Sequence, residues 1–229
     1  MSSFYPPLEP ETPARPARIV RETHLSRKPA GASGWIALAS VAALFGVSAI
    51  YWTDFLGLTS QLAATPEMVF EHKEYWRLLT AIGTHANFQH LLSNAIVFGV
   101  LSYLLYGYFG PVAYPVLALA GGVAVMALSL STYPPMTILV GASGVTYLMA
   151  GFWLTLYFFI ERRFSPAKRL LRSMGFSLIV LMPTVFEPTV SHRTHLFGFG
   201  VGMVLGLGYF HFNKVSLRRA ERVEIELDD

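Results

Sequence analysis

The sequence predicts an all-α membrane protein, a six-helix transmembrane bundle with both termini on the cytoplasmic side. Three observations predict it: a shortage of charge, six long apolar runs, and a lopsided placement of basic residues. Of the 229 residues, 53% are hydrophobic and 14% charged, with a mean hydropathy of +0.47. Soluble domains carry roughly 25% charged residues. That deficit excludes an ordinary water-exposed surface and fits a chain whose middle faces lipid, where an ionised group costs several kcal/mol. The formal charge of +3 says less than its distribution, and no nucleic-acid partner is expected. The absence of cysteine excludes disulfides, thiol nucleophiles and cysteine-based metal sites.

The elements follow in order. Residues 1–33 hold Pro6, Pro7, Pro10, Pro13, Pro16 and Pro29 among Arg15, Arg18, Arg21, Arg27 and Lys28, which reads as a disordered cytoplasmic tail. The first apolar run is too late and too long for the core of a cleaved signal peptide, so a retained first span is expected. The membrane domain occupies 34–213, and a charged tail follows at 214–229. Apolar runs fall at about Trp35–Trp52, Phe88–Phe109, Val112–Ser131, Ile138–Ile160, Ser173–Phe186 and His195–Phe212. They are long and lack period-two alternation, which indicates helices rather than a barrel. Gly110-Pro111 and Pro134-Pro135 punctuate them. The fifth run contains Pro183 and reaches only about 21 Å of a core about 30 Å thick, so it must extend into its flanks, tilt little or be loosely seated. Residues 53–86 form an outer segment rich in Phe55, Leu56, Leu58, Met68, Phe70, Tyr75 and Trp76, a composition that suits a folded loop in the membrane interface.

Basic residues set the orientation. With the tail inside, only Lys73, Arg77 and Arg193 of the 17 basic residues fall outside. The positive-inside rule then places both termini in the cytoplasm, which requires an even number of spans.

Ionisable and polar groups inside spans are costly, and three constellations stand out. The second span opens with His90 and Asn94, the fourth with Gly141-Ala142-Ser143-Gly144, and the sixth with His195 and Gly198. At helical rise, Ser143 stands about 27 Å above Glu161, His195 about 28 Å above Lys214, and His90 about 30 Å above Gly110. All three therefore reach one outer level. A serine hydroxyl needs a base to accept its proton, and His195 can do that. The oxyanion of acyl transfer needs donors, for which the Ser143 backbone N–H, Asn94 and His90 are candidates. Ser143 stands at a helix N-terminus, where the dipole favours an anion. No aspartate or glutamate opens any of these helices, so a serine–histidine dyad fits better than a triad.

Each motif alone has an ordinary reading. Gly141, Ser143 and Gly144 suit close helix packing, and Val145 breaks the G-x-S-x-G pattern. Gly198, Gly202 and Gly206 form a packing stripe. His90 with Asn94 reads equally as a structural hydrogen-bonding pair. Tyr147 is either core packing or a partner stacked on His195. His72, His85 and His192 read as solvated loop residues. A zinc site lacks a third ligand, and no metal or cofactor is expected.

Four pieces then occur in one order: Tyr75-Trp76-Arg77; Thr84-His85-Ala86-Asn87-Phe88-Gln89-His90-Leu91-Leu92-Ser93-Asn94; Gly141-Ala142-Ser143-Gly144 with Tyr147; and His195-x-x-Gly198-x-x-x-Gly202. Together they resemble the rhomboid intramembrane serine proteases in their six-span bacterial form, over about Trp35 to Phe212. The resemblance implies a serine endopeptidase of the bacterial plasma (inner) membrane, its site opening to the outer side. Ser143 would be the nucleophile and His195 the base. His90 and Asn94 would form the oxyanion hole with the Ser143 amide, Tyr147 would pack on His195, and Trp76 and Arg77 would anchor the outer loop. The fifth helix, with the loop from Glu187 to Thr194, would admit single-span membrane substrates, cut near their outer end. Phe197, where the family often has a small residue, and Tyr106-Gly107-Tyr108, which lacks an acidic residue often found there, are departures. The competing readings are a catalytically silent rhomboid-like protein that binds membrane helices, and a small transporter, which would call for internal repeats that the sequence does not display.

Overall fold

The computed structural model describes residues 17–185 and 191–226, with 179–185 described as backbone alone. Its helices are α1 (Ser33–Thr53), α2 (Thr59–Leu62), α3 (Arg77–Gly83), α4 (Phe88–Pro111), α5 (Ala118–Leu130), α6 (Ser143–Ile160), α7 (Pro166–Val185) and α8 (His192–Arg219). Among the described residues, four stretches are long and apolar enough to cross a membrane: Ser33–Thr53, Phe88–Leu130, Ser143–Ile160 and His192–Arg219. The second stretch contains two of the expected runs and is not one rod. Gly110 has φ 75° and ψ −169°, a conformation that favours glycine. Beyond it the Tyr114 ring returns to within 6.1 Å of Phe98. On a straight helix those residues would stand about 24 Å apart, so the chain reverses at Gly110-Pro111.

The fifth run starts its helix earlier than its apolar part. α7 begins at Pro166 and ends at Val185, against an expected Ser173–Phe186. Lys168, Arg169 and Arg172 lie in its first two turns, which keeps it out of the four apolar stretches. α6 is the centre of the fold, with 72% of its apolar window buried against 17% for α1. Trp35, Leu38, Ile96, Val204 and Phe212 are exposed, an apolar surface on the scale that suits lipid rather than water.

The tightest packing joins α6 to α8. A Cβ added at Gly198 would lie 2.3 Å from Gly144 O, one at Gly202 2.0 Å from Leu148 O, and one at Gly151 2.3 Å from Phe199 O. Glycine on both sides lets the backbones touch, which is how small residues join helices where lipid gives no hydrophobic drive.

The all-α expectation fails at the chain ends. β1 (Ala17–Glu22) pairs antiparallel with β2 (Arg222–Glu226), with Val20 opposite Val223 and Ile19 opposite Glu224. The Thr23 side chain then caps a short 3₁₀ turn at His24–Ser26. Residues 17–33 are therefore ordered, not a disordered tail, and 214–226 continue α8 and enter β2. Residues 1–16 lie outside the described residues. The physical reason lies in β-branched residues and charge: Ile19-Val20 run beside the alternating Arg222-Val223-Glu224-Ile225-Glu226, and Arg21 meets Glu224 and Glu226. The sheet lies at one end of the bundle with Ser33, Phe109 and Ile160. Thr53, His85, Phe88 and His192 lie at the other.

Candidate active site

The segment before Ser143 is extended and anchored on three sides. Leu139 pairs with Ala64, its N–H donating to Ala64 O at 2.8 Å. Gly141 N–H donates to Ala81 O at 2.9 Å. Ala142 N–H donates to His85 Nε2 at 3.2 Å. These outward bonds explain why the fourth helix starts at Ser143 and not at Ile138: a helical turn over 138–142 would need the same donors and acceptors. Gly141 has φ 120°, and a Cβ there would meet His90 Cε1 at 2.9 Å. The position needs glycine for conformation and for space. Ala142 supplies no side-chain cap to α6, so the first-turn N–H groups gain no partner from it.

His195 sits in the first turn of α8, and its ring stacks on Tyr147 at 4.0 Å and 11° between planes. The Gly144–Gly198 contact one turn below fixes this pairing, with Thr194 Cγ2 against Gly144. His195 is 4% exposed, and its Nε2 is buried without a hydrogen-bond partner. Ser143 and His195 are thus brought onto adjacent helical turns, without a hydrogen bond between Oγ and Nε2. Such bonds are commonly loose before substrate binds.

His90 lies against Gly141, and its ring is 5.1 Å from that of His85. Asn94 is buried, and its Nδ2 donates to His90 O at 2.9 Å, one turn back along α4. One of its two N–H donors is therefore occupied within its own helix. A cavity of about 580 Å³ joins the parts, lined by His90, Gly141, Ser143, Tyr133, Ser191 and Thr194 among others. That volume is in the range of ligand sites.

Arg77 is buried and draws the outer loop together. Its Nε donates to Glu74 Oε2 at 2.5 Å, and its Nη1 to the Ser60 and Ala63 carbonyls, both at 2.7 Å. Ala64, the next residue, is the partner of Leu139, so the clamp reaches the strand that leads to Ser143. Trp76 is half exposed and precedes α3.

His85 corrects the reading of it as a solvated loop residue: it is fully buried. Its Nε2 accepts from Ala142 N–H, and its Nδ1 lies 3.0 Å from Ser48 Oγ, which donates to Gly83 O at 3.1 Å. This chain of donors fixes the neutral ring with the proton on Nδ1. Burial, with His90 second, pushes its pKa down to about 4. Trp52 Nε1–H also donates to the His85 carbonyl at 2.7 Å. The sequence signal was faint: a second histidine five residues before His90, with its partner Ser48 one span away. Tyr133 and the Ser191–Thr194 pair were also missed, and only the Ser-x-x-Thr cap pattern before His195 pointed there. Of the loop from Glu187 to Thr194, residues 187–190 lie outside the described residues.

Comparison with known proteins places this geometry in a family. The family model described as Rhomboid domain matches residues 72–212, more than half of the chain. The mouse protein described as Rhomboid-related protein 2 is 31% identical over an alignment of 173 positions that covers 70% of this chain and 56% of that protein. The chain thus spans a little over half the length of that curated relative. The family-model match spans both Ser143 and His195, and on the two matches the chain belongs to the rhomboid family.

Proposed function

We propose that this integral membrane protein is a serine endopeptidase that hydrolyses peptide bonds of single-span membrane proteins. It would cross the membrane six times, with α4 and α5 as separate spans and α7 as the fifth span. Both termini would lie in the cytoplasm and the cavity would open outward, at the bacterial plasma membrane. The observation that supports the reading most is the α6–α8 contact. It seats the His195 ring on Tyr147, leaves Nε2 unbonded, and sets it beside the turn that presents Ser143 to the cavity.

In this reading Ser143 Oγ attacks the scissile carbonyl carbon while His195 Nε2 takes its proton. The carbonyl oxygen becomes an oxyanion, held by the Ser143 N–H at the start of α6 and by His90 and Asn94. His195 returns the proton to the leaving amine, which departs and leaves an acyl ester on Ser143. Water, deprotonated by His195, attacks that ester; the acyl C–O bond breaks, the acid leaves, and His195 returns the proton to Ser143 Oγ. Tyr147 holds the ring of the base, and α7 flanks the path by which a substrate helix arrives.

The test is reconstitution with a single-span substrate and labelling by a fluorophosphonate. Ser143→Ala is expected to abolish labelling, and Ser143→Ala and His195→Ala each to reduce cleavage by about 10³-fold or more. Cleavage by Ser143→Ala at the native rate would sink the reading, as would a folded native chain that neither labels nor cuts any of several substrates.

A further inference from the structure

The first turn of α8 is fastened to the connection that follows α5. Ser191 caps α8, its Oγ accepting from Thr194 N–H at 3.1 Å. The same Oγ lies 2.6 Å from Tyr133 OH and 2.6 Å from Thr194 Oγ1. Arg193 Nη1 donates to Thr132 O at 3.0 Å, and its guanidinium lies 5.4 Å from the Tyr133 ring centre. His195 belongs to this turn, since its N–H donates to Ser191 O at 3.1 Å. Below it, the glycine contacts with α6 hold the helix from Gly198 onward. Above it, helix ends fray because their first N–H groups lack partners within the helix.

We propose that Tyr133 and Arg193 are positioning residues for His195: through Ser191 they stop the first turn of α8 from fraying and hold the base on Tyr147. This rests on the serine–histidine reading. The latch is a property of these side chains and not of the glycine stripe. The Tyr133 hydroxyl acts on the base through Ser191, and Arg193 works through the Thr132 carbonyl and the Tyr133 ring. Tyr133, Ser191 and Thr194 also line the cavity, so a direct contact with substrate is the alternative that an experiment has to separate.

The 229-residue chain in detergent micelles, with Tyr133→Phe, Ser191→Ala, Ser191→Thr and the Tyr133→Phe/Ser191→Ala pair, makes that separation. Tyr133→Phe keeps the ring and its cation contact and removes one hydroxyl. It is expected to slow fluorophosphonate labelling of Ser143 and kcat by about 3–10-fold, the worth of one hydrogen bond, with KM unchanged. Hydrogen exchange at residues 192–196 is expected to quicken. Ser191→Thr should recover most of the rate that Ser191→Ala loses, and the double variant should be no slower than Ser191→Ala. A raised KM at unchanged kcat would make Tyr133 a substrate contact and overturn the proposal. Losses that multiply in the double variant would overturn it too, as would unchanged exchange and labelling in Tyr133→Phe. If exchange quickens in Tyr133→Phe while the native chain itself never labels, the serine–histidine reading falls, and the latch's role in catalysis falls with it.

Discussion

His85 shows how one side chain governs the approach to Ser143. Its neutral ring accepts from Ala142 N–H at 3.2 Å. His85→Ala would strand the buried Ala142 amide, a loss of about 1–3 kcal/mol, and leave the Ser48 hydroxyl its bond to Gly83 O. The expected result is a lower unfolding midpoint together with slower labelling of Ser143. The same ring gives a pH signature. Its pKa is about 4 in the folded chain, from an ordinary 6.5. Above pH 6.5 both folded and unfolded chains hold it neutral, and it adds no pH dependence. Between pH 6.5 and 4 the unfolded chain takes up a proton that the folded chain refuses, so stability falls as pH falls. His85→Gln should flatten that part of the curve by up to one proton's slope, measured as unfolding midpoints in micelles at several pH values. Equal slopes in the two proteins would mean that some other group carries the titration.

At the scale of elements, the α6–α8 contact decides where the base sits. Gly198→Ala would drive a Cβ to 2.3 Å from Gly144 O, and Gly202→Ala one to 2.0 Å from Leu148 O. Backbone cannot yield as a flexible side chain does, so each should cost at least about 1–3 kcal/mol and lower cleavage by moving His195. Gly200 has nothing within 4 Å of an added Cβ. Gly200→Ala is therefore expected to be neutral or to stabilise by up to about 1 kcal/mol through helix propensity. Parallel melting and cleavage curves for the three variants check this, and an equal loss in all three would remove the contact as the cause. The stripe was legible in the sequence because period four on one helix is a local signal. So was the grouping of His90, Ser143 and His195 toward one end of their helices, as polar residues of apolar runs, with Tyr147 one turn further along α6. The start of α6 was legible from Ser143 as a helix N-terminus but not from the apolar run, because residues 138–142 are apolar enough to read as helix while their N–H groups bond to an outer loop far away in sequence. His85 was hidden for the same reason: its partners Ser48 and Ala142 come from two other segments.

At the scale of the whole molecule, the two ends of the bundle do different work. The site end collects side chains from α4, α6 and α8 with the outer loop behind them. The opposite end is closed by the chain's own extremities. β1 pairs with β2, and Arg21 Nε meets Glu224 Oε2 at 2.8 Å. Glu221, just before β2, joins Arg162 and Arg218. After β1, His24 stacks on Phe109 at 5.4 Å and its Nε2 lies 2.6 Å from Tyr108 O, while Ala30 N–H donates to Gly107 O at 2.8 Å. The two layers of this clasp differ in strength. The strands are short and their ion pairs exposed, worth about 0–1 kcal/mol each, and a two-stranded ribbon is marginal alone. His24 is buried enough that desolvation lowers its pKa, and its ring fills a place among Phe109, Tyr108 and, through them, Trp153. Deleting residues 1–22 should therefore lower the unfolding midpoint by only about 2–4 °C, the equivalent of about 1 kcal/mol in a chain of this size. His24→Ala should lower it more, since it removes a stacked ring and a half-buried hydrogen bond. Neither should alter fluorophosphonate labelling of Ser143 well below the midpoint, because the clasp and the site share no side chain and lie at opposite ends of α4, α6 and α8. A deletion that slows labelling as much as it lowers the midpoint would instead make the clasp a part of the site's support, transmitted along the α6–α8 glycine contact.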